Sequence, residues 1–127
     1  MSDLILVDTS VWIKHLRVSD KILIRLLEQG LVACHPFIIG ELACGDIKNR
    51  HEIIRLLNDL PSTDILDHDD ILEFIEYRKI MNKGIGYVDV HLLASALVSE
   101  TPLWTLDKAL RNISNQLSIE YDIKLKK

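Results

Sequence analysis

A continuous apolar run, Leu4-Ile5-Leu6-Val7, stands near the start of the chain. Four apolar residues in a row are too few for a helix and suit a strand buried on both faces. Asp8-Thr9-Ser10 supplies capping side chains before Val11-Trp12-Ile13, so a helix is expected there. Ser19-Asp20 opens a second helix with Ile22, Leu23, Leu26 and Leu27 inward, and Gly30 ends it. Leu31 to Cys34 reads as a second short strand. Pro36 stands where a helix begins, and Ile38, Ile39, Leu42 and Ala43 carry it to Gly45. Another helix spans Arg50 to Leu60 and stops before Pro61. Thr63 to Leu66 reads as a third strand. His68 to Lys83 reads as a helix with Ile71, Leu72, Ile75 and Ile80 inward, closed by Gly84. Val88 to Val98 is almost wholly apolar, so that helix is buried. Leu103 to Leu106 is a fourth strand, Lys108 to Leu117 a helix opened by Asp107, and Ile119 to Tyr121 a fifth strand.

Short strands separated by helices call for right-handed crossovers and a parallel sheet covered on both faces. The expected class is α/β. In such folds ligands bind beyond the carboxyl ends of the strands. Asp8 and Asp107 each follow a strand directly, so both carboxylates are expected on one rim.

The 127 residues are the size of one domain, and 1–127 is read as a single unit. Hydrophobic residues make up 48% and charged residues 27%, which excludes global disorder. The net charge of -4 excludes a generally basic nucleic-acid or membrane-surface protein, so any nucleic acid must meet a local basic patch. Cys34 and Cys44 lie in apolar stretches and read as free core thiols. No Cys-x-x-Cys pair suggests zinc. Leu4 to Val7 is interrupted by Asp8 and has no basic segment before it, unlike a signal peptide. Ile85 to Val98 contains Asp89 and His91, unlike a membrane span. A cytoplasmic location without membrane contact is expected.

Most of the 19 acids fall on polar helix faces or loops. Asp8, Glu41, Asp89 and Asp107 instead interrupt apolar segments. Three of these, Asp8, Asp89 and Asp107, stand at helix starts, where a carboxylate can simply cap free N–H groups. Glu41 lies well inside its helix and does not fit that account. Buried there, it needs a cation or a proton. Four such acids meeting in one place would repel one another, and a divalent metal would remove the conflict. Oxygen-only ligands favour Mg²⁺ or Mn²⁺ over zinc.

Four segments carry a family resemblance. Val7-Asp8-Thr9-Ser10-Val11-Trp12-Ile13 resembles the opening motif of PIN-domain ribonucleases, in particular the VapC toxins of bacterial toxin–antitoxin pairs. Gly40-Glu41-Leu42-Ala43-Cys44-Gly45 resembles their second motif, the stretch from Gly84 to Ala96 their third, and Leu103-Trp104-Thr105-Leu106-Asp107 their fourth. The order is right, and together they span the chain. The resemblance implies a single-domain three-layer α/β/α sandwich with a mainly parallel sheet. It implies an acidic pocket of Asp8, Glu41, Asp89 and Asp107 holding one or two Mg²⁺ or Mn²⁺ ions, with Asp8 and Asp89 as the leading ligands. Ser10 matches the small hydroxyl residue that helps order this pocket. The implied activity is endonucleolytic cleavage of RNA. The implied partners are a small VapB-like antitoxin that blocks the pocket and a second copy in a homodimer.

Histidines offer no rival site. None of His15, His35, His51, His68 and His91 shows the pairing a metal-free ribonuclease needs. His91 follows Asp89 by two positions, so the two do not share a helix face, and a structural role is expected. Cys34, His35 and Cys44 lack a fourth ligand for zinc. Lys14, His15 and Arg17 follow the first motif, Arg78, Lys79 and Lys83 precede the third, and Lys108 and Arg111 follow the fourth. Charge runs of this kind are often solvated helix faces, but their closeness to the acids makes Lys14, Arg17, Lys83, Lys108 and Arg111 candidates for RNA-backbone contacts. With 6% aromatic residues, extended base stacking is not expected. A haloacid-dehalogenase-like phosphatase would need an acid where Ser10 stands. A receiver domain would need an acidic pair beside Asp8. An inactive PIN-like RNA-binding module would not need all four acids.

Overall fold

The computed structural model describes residues 3–123. Its centre is β1 (Ile5–Val7), flanked in parallel by β2 (Val32–Ala33) and β3 (Leu103–Trp104), in the order β2-β1-β3. Side chains alternate across a strand, so burial of Ile5, Leu6 and Val7 alike means that both faces of the sheet are covered. The helices are α1 (Thr9–Arg17), α2 (Lys21–Glu28), α3 (Pro36–Ala43), α4 (Arg50–Asp59), α5 (His68–Arg78), α6 (Tyr87–Val98) and α7 (Lys108–Gln116). This is the α/β sandwich that the alternation of runs predicts. One cluster of buried side chains joins β1 to α1, α3, α6 and α7 through Val11, Ile38, Leu92 and Leu110.

Two predicted strands shrink to single bridges. Residues 63–66 do not form a strand. Ser62 pairs with Cys34, Cys34 N donates to Pro61 O at 2.8 Å, and Thr63 N donates to Cys34 O at 3.1 Å. Beyond that point Asp64 turns its N–H to the Ser99 hydroxyl at 2.9 Å, and Ile65 is 60% exposed. Thr63 is buried and Leu66 packs against the core, but Asp64 and Ile65 between them face solvent, so the segment gains little from staying in the ladder. Residues 119–121 likewise form a single bridge, Glu120 to Leu103, closed by hydrogen bonds from Leu103 N to Ile119 O and from Tyr121 N to Leu103 O.

Helix ends differ too. The predicted helix over 68–83 stops at Arg78, because Lys79 adopts the left-handed conformation and its N–H caps Ile75 O. Ile80 is buried beyond that cap, whereas Leu72 is exposed rather than inward. The α3 helix ends at Ala43, and the Arg50 guanidinium donates to the Ala43 and Gly45 carbonyls, satisfying acceptors the helix leaves open. This end is solvated, so Cys44 is exposed and is not a core thiol, while Cys34 is buried. The α6 helix begins at Tyr87 and buries every residue from Val90 to Ala96, as its apolar composition requires.

Candidate acidic site

The register of the sheet builds the site. Val7 pairs with Trp104, so the next residues, Asp8 and Thr105, emerge side by side at the carboxyl rim. Asp8 N donates to Trp104 O at 2.9 Å and holds the strand ends together. Asp8 is 5% exposed. Its Oδ2 accepts from the Thr105 hydroxyl at 2.7 Å, the Ser10 hydroxyl at 2.8 Å and Ser10 N at 3.4 Å. Each hydroxyl has one hydrogen, and both are directed at Asp8. Their lone pairs accept backbone N–H groups, Leu106 N on Ser10 at 2.9 Å and Asp107 N on Thr105 at 3.0 Å. The Ser10–Thr105 separation of 3.3 Å is therefore a contact between two hydroxyl oxygens that both donate to Asp8. Asp8 Oδ1 takes no hydrogen bond among the described residues.

The other three acids come from three further elements. Asp107 caps α7 by accepting Leu110 N at 2.9 Å, and it is exposed. Glu41, on α3, accepts the Thr9 hydroxyl at 2.6 Å. Asp89, in the first turn of α6, is half-buried and accepts Gly86 N at 3.4 Å. Burial pushes the Asp89 carboxyl above the usual range, the Gly86 bond opposes that, and the charges of Asp8, Asp107 and Glu41 push it further up. Asp89 therefore stands close enough to sense the other three acids.

One reading of these acids needs correcting. Glu41 is exposed, because Ile38 and Leu42 take the buried stripe of α3 and leave Glu41 beside it. Burial therefore does not force a cation or proton on it. Among the described residues no three His, Cys, Asp or Glu side chains stand close enough to enclose an ion. Capping also accounts for part of what Asp8, Asp89 and Asp107 do. It leaves Asp8 Oδ1 and the convergence of four charges unexplained. An all-carboxylate donor set, with the Asp8 hydrogen bonds all on Oδ2, fits a hard divalent cation.

The basic candidates separate. Lys83 and Lys108 share a cleft of about 370 Å³ with Asn112 and Gln116, directly after Asp107. Arg17 lies with Glu41 on a different groove. Lys14 pairs with Asp20 at 3.9 Å, and Arg111 is exposed on α7 outside that cleft's lining. Sequence reasoning missed Thr105 and Thr9. The signal was a hydroxyl two residues before Asp107 at a strand end, mirroring Ser10 two residues after Asp8.

Histidine chemistry is absent from this arrangement. His35 is fully buried, caps α3 by accepting Phe37 N at 3.0 Å, and has its pKa lowered to about 4 by burial and then by His91. His91 is buried between Phe37 and Tyr87, each ring 4.6 Å away, which is the structural role expected. Burial raises the Cys34 thiol to about 11. Ser10, engaged on Asp8, leaves no acid at the position a haloacid-dehalogenase-like phosphatase needs.

Among the described residues no helix is long and apolar enough to cross a membrane. Residues 5–116 match the family model described as PIN domain. The chain is also 46% identical over 109 residues to Ribonuclease VapC32 of Mycobacterium tuberculosis, in each of two strains. The match covers 85% of this chain and 88% of that relative.

Proposed function

This chain belongs to the PIN-domain family, among its VapC-type ribonucleases, and from that premise we propose that it is a Mg²⁺- or Mn²⁺-dependent endoribonuclease acting as the toxin of a toxin–antitoxin pair. The observation that carries this reading is Asp8, buried at the carboxyl end of β1 and held through Oδ2 by the Ser10 and Thr105 hydroxyls. Asp8 and Asp89 are the leading ligands for one or two ions, with Glu41 and Asp107 completing the set. When bound, such an ion lowers the pKa of the attacking water and neutralises charge on the phosphorane.

The chain's own groups do the rest. Ser10 and Thr105 fix Asp8 through Oδ2 and leave Oδ1 available. Thr9 orients Glu41, and the Leu110 N–H orients Asp107. Lys83 and Lys108 hold a phosphate flanking the cut, and Arg17 serves on the Glu41 side. Attack by water in line with the leaving oxygen gives a 5′-phosphate and a 3′-hydroxyl.

The relative's name, Ribonuclease VapC32, supports a VapB-like antitoxin here. An acidic rim invites an Arg or Lys from that partner, since a guanidinium pairs with carboxylates in two-pronged fashion. Leu72, Tyr77 and Met81 are exposed on and after α5, which supports pairing of two copies. A cytoplasmic location accords with an RNA substrate. The test is growth after induction: wild type arrests it, and Asp8→Asn or co-expression with the adjacent small gene restores it. Equal growth in all three, with soluble protein, removes the toxin reading.

A further inference from the structure

A groove of about 500 Å³ runs from Glu41 between α1 and the loop after α3. Ile13 and Leu16 form one wall, Ile47 joins them from the loop, and Arg17, Lys48 and Asp46 carry the polar positions. That volume is in the range of ligand pockets, roughly 300–1,000 Å³. Glu41 belongs both to this groove and to the acidic set, so the groove adjoins the acids. Ile13 is 42% exposed although apolar, so this wall is open to a ligand.

Resting on the ribonuclease reading above, we infer that this groove is a nucleobase subsite that reads the nucleotide beside the scissile phosphate. The pattern of the lining matches a nucleotide: apolar walls for the faces of a base, cations at Arg17 and Lys48 for its phosphates. No aromatic residue lines it, so a splayed base packs against Ile13, Leu16 and Ile47 instead. Asp46 supplies an acceptor for base-edge N–H groups. A carboxylate has two acceptor oxygens, and guanine presents two N–H donors side by side on its Watson–Crick edge. The preferred occupant is therefore guanine.

The experiment is cleavage of a randomised single-stranded RNA pool with sequencing of the product ends. Wild type, Asp46→Asn and Ile47→Trp are compared, and each fold is checked by circular dichroism. Wild type enriches guanine at one fixed position next to the cut. Asp46→Asn lowers that enrichment among the products it forms by about tenfold. Ile47→Trp, which fills the groove without removing Asp46, flattens the same position. Should Ile47→Trp not fold, the exposed Asp46→Asn carries the test. Variants that cut with the wild-type base profile overturn the subsite and leave the ribonuclease reading intact. So does a set of variants that keep that profile but escape inhibition by the antitoxin, since the groove then serves a peptide. Wild type that cuts no RNA overturns both readings.

Discussion

Thr105 donates its hydroxyl hydrogen to Asp8 Oδ2 at 2.7 Å, joining residues 97 positions apart in the chain. The contact follows from the sheet, because Val7 and Trp104 are in register and the residues after them must meet. Thr105→Val keeps the shape but removes the hydroxyl. It leaves Asp8 one donor short and Asp107 N without its acceptor. Loss of a partner that orients a metal ligand lowers activity or metal affinity by about 10–100-fold. Thr105→Ser restores most of it. Cleavage rates as a function of Mg²⁺ concentration check this, and equal rates for Thr105→Val and wild type would show that the hydroxyl does not position Asp8.

Asp89 carries a stability cost of its charge. Below the ordinary carboxylate pKa both folded and unfolded chains hold the proton. As pH rises, the unfolded chain releases it first, because burial and three neighbouring acids hold the folded-state pKa up. Stability from this group is thus present at low pH and lost as pH rises through the folded pKa. Asp89→Asn is expected to melt a few degrees higher than wild type at pH 7 without divalent metal while losing cleavage. Thermal melts in chelator check it, and a lower melting temperature would mean that the Gly86 contact outweighs the repulsion.

His35 gives the opposite sign. Its pKa is lowered from 6.5 to about 4 by burial first and by His91 second. The unfolded chain therefore takes up a proton before the folded one as pH falls, and stability drops between roughly pH 6.5 and 4. The loss is about 3 kcal/mol on that shift. His35→Asn keeps an acceptor for Phe37 N and removes the titration. Urea midpoints across this range should fall for wild type and change less for the variant. Parallel curves would assign the acid sensitivity elsewhere.

Much of this arrangement was legible in the sequence, and the exceptions have physical causes. The Leu4 to Val7 run and the acids directly after two strands located the rim, because continuous apolar residues and the chain direction of a parallel sheet leave little choice. Residues 63–66 misled because Thr63 and Ile65 suit a strand, while the ladder offers Ile65 nothing to cover it. Glu41 was read as buried because its neighbours are apolar, but a helix buries a stripe, and Ile38 and Leu42 fill it. The end of α5 rests on a lysine in a left-handed conformation, which no residue type signals. Thr105 passed as an ordinary strand residue, since its role depends on a partner 97 positions away.

Lys83 and Lys108 line one cleft beside Asp107. Lys83→Gln and Lys108→Gln should each weaken RNA binding at low salt for all sequences alike. Each should also lower the slope of log affinity against log salt by about 0.7. The measurement uses Asp8→Asn protein, which binds without cutting. An unchanged slope in both variants would place the phosphate contacts elsewhere.

The most direct measurement is in vitro cleavage of total RNA by purified protein, with the new ends mapped. Wild type and Asp8→Asn are compared in EDTA and again after adding Mg²⁺ or Mn²⁺. The predicted result is no cleavage in EDTA, restored cleavage for wild type alone, and products with 5′-phosphate and 3′-hydroxyl ends. Full activity in EDTA with 2′,3′-cyclic phosphate ends, or equal cleavage by Asp8→Asn, would contradict the central claim that the four carboxylates carry the chemistry through a divalent ion.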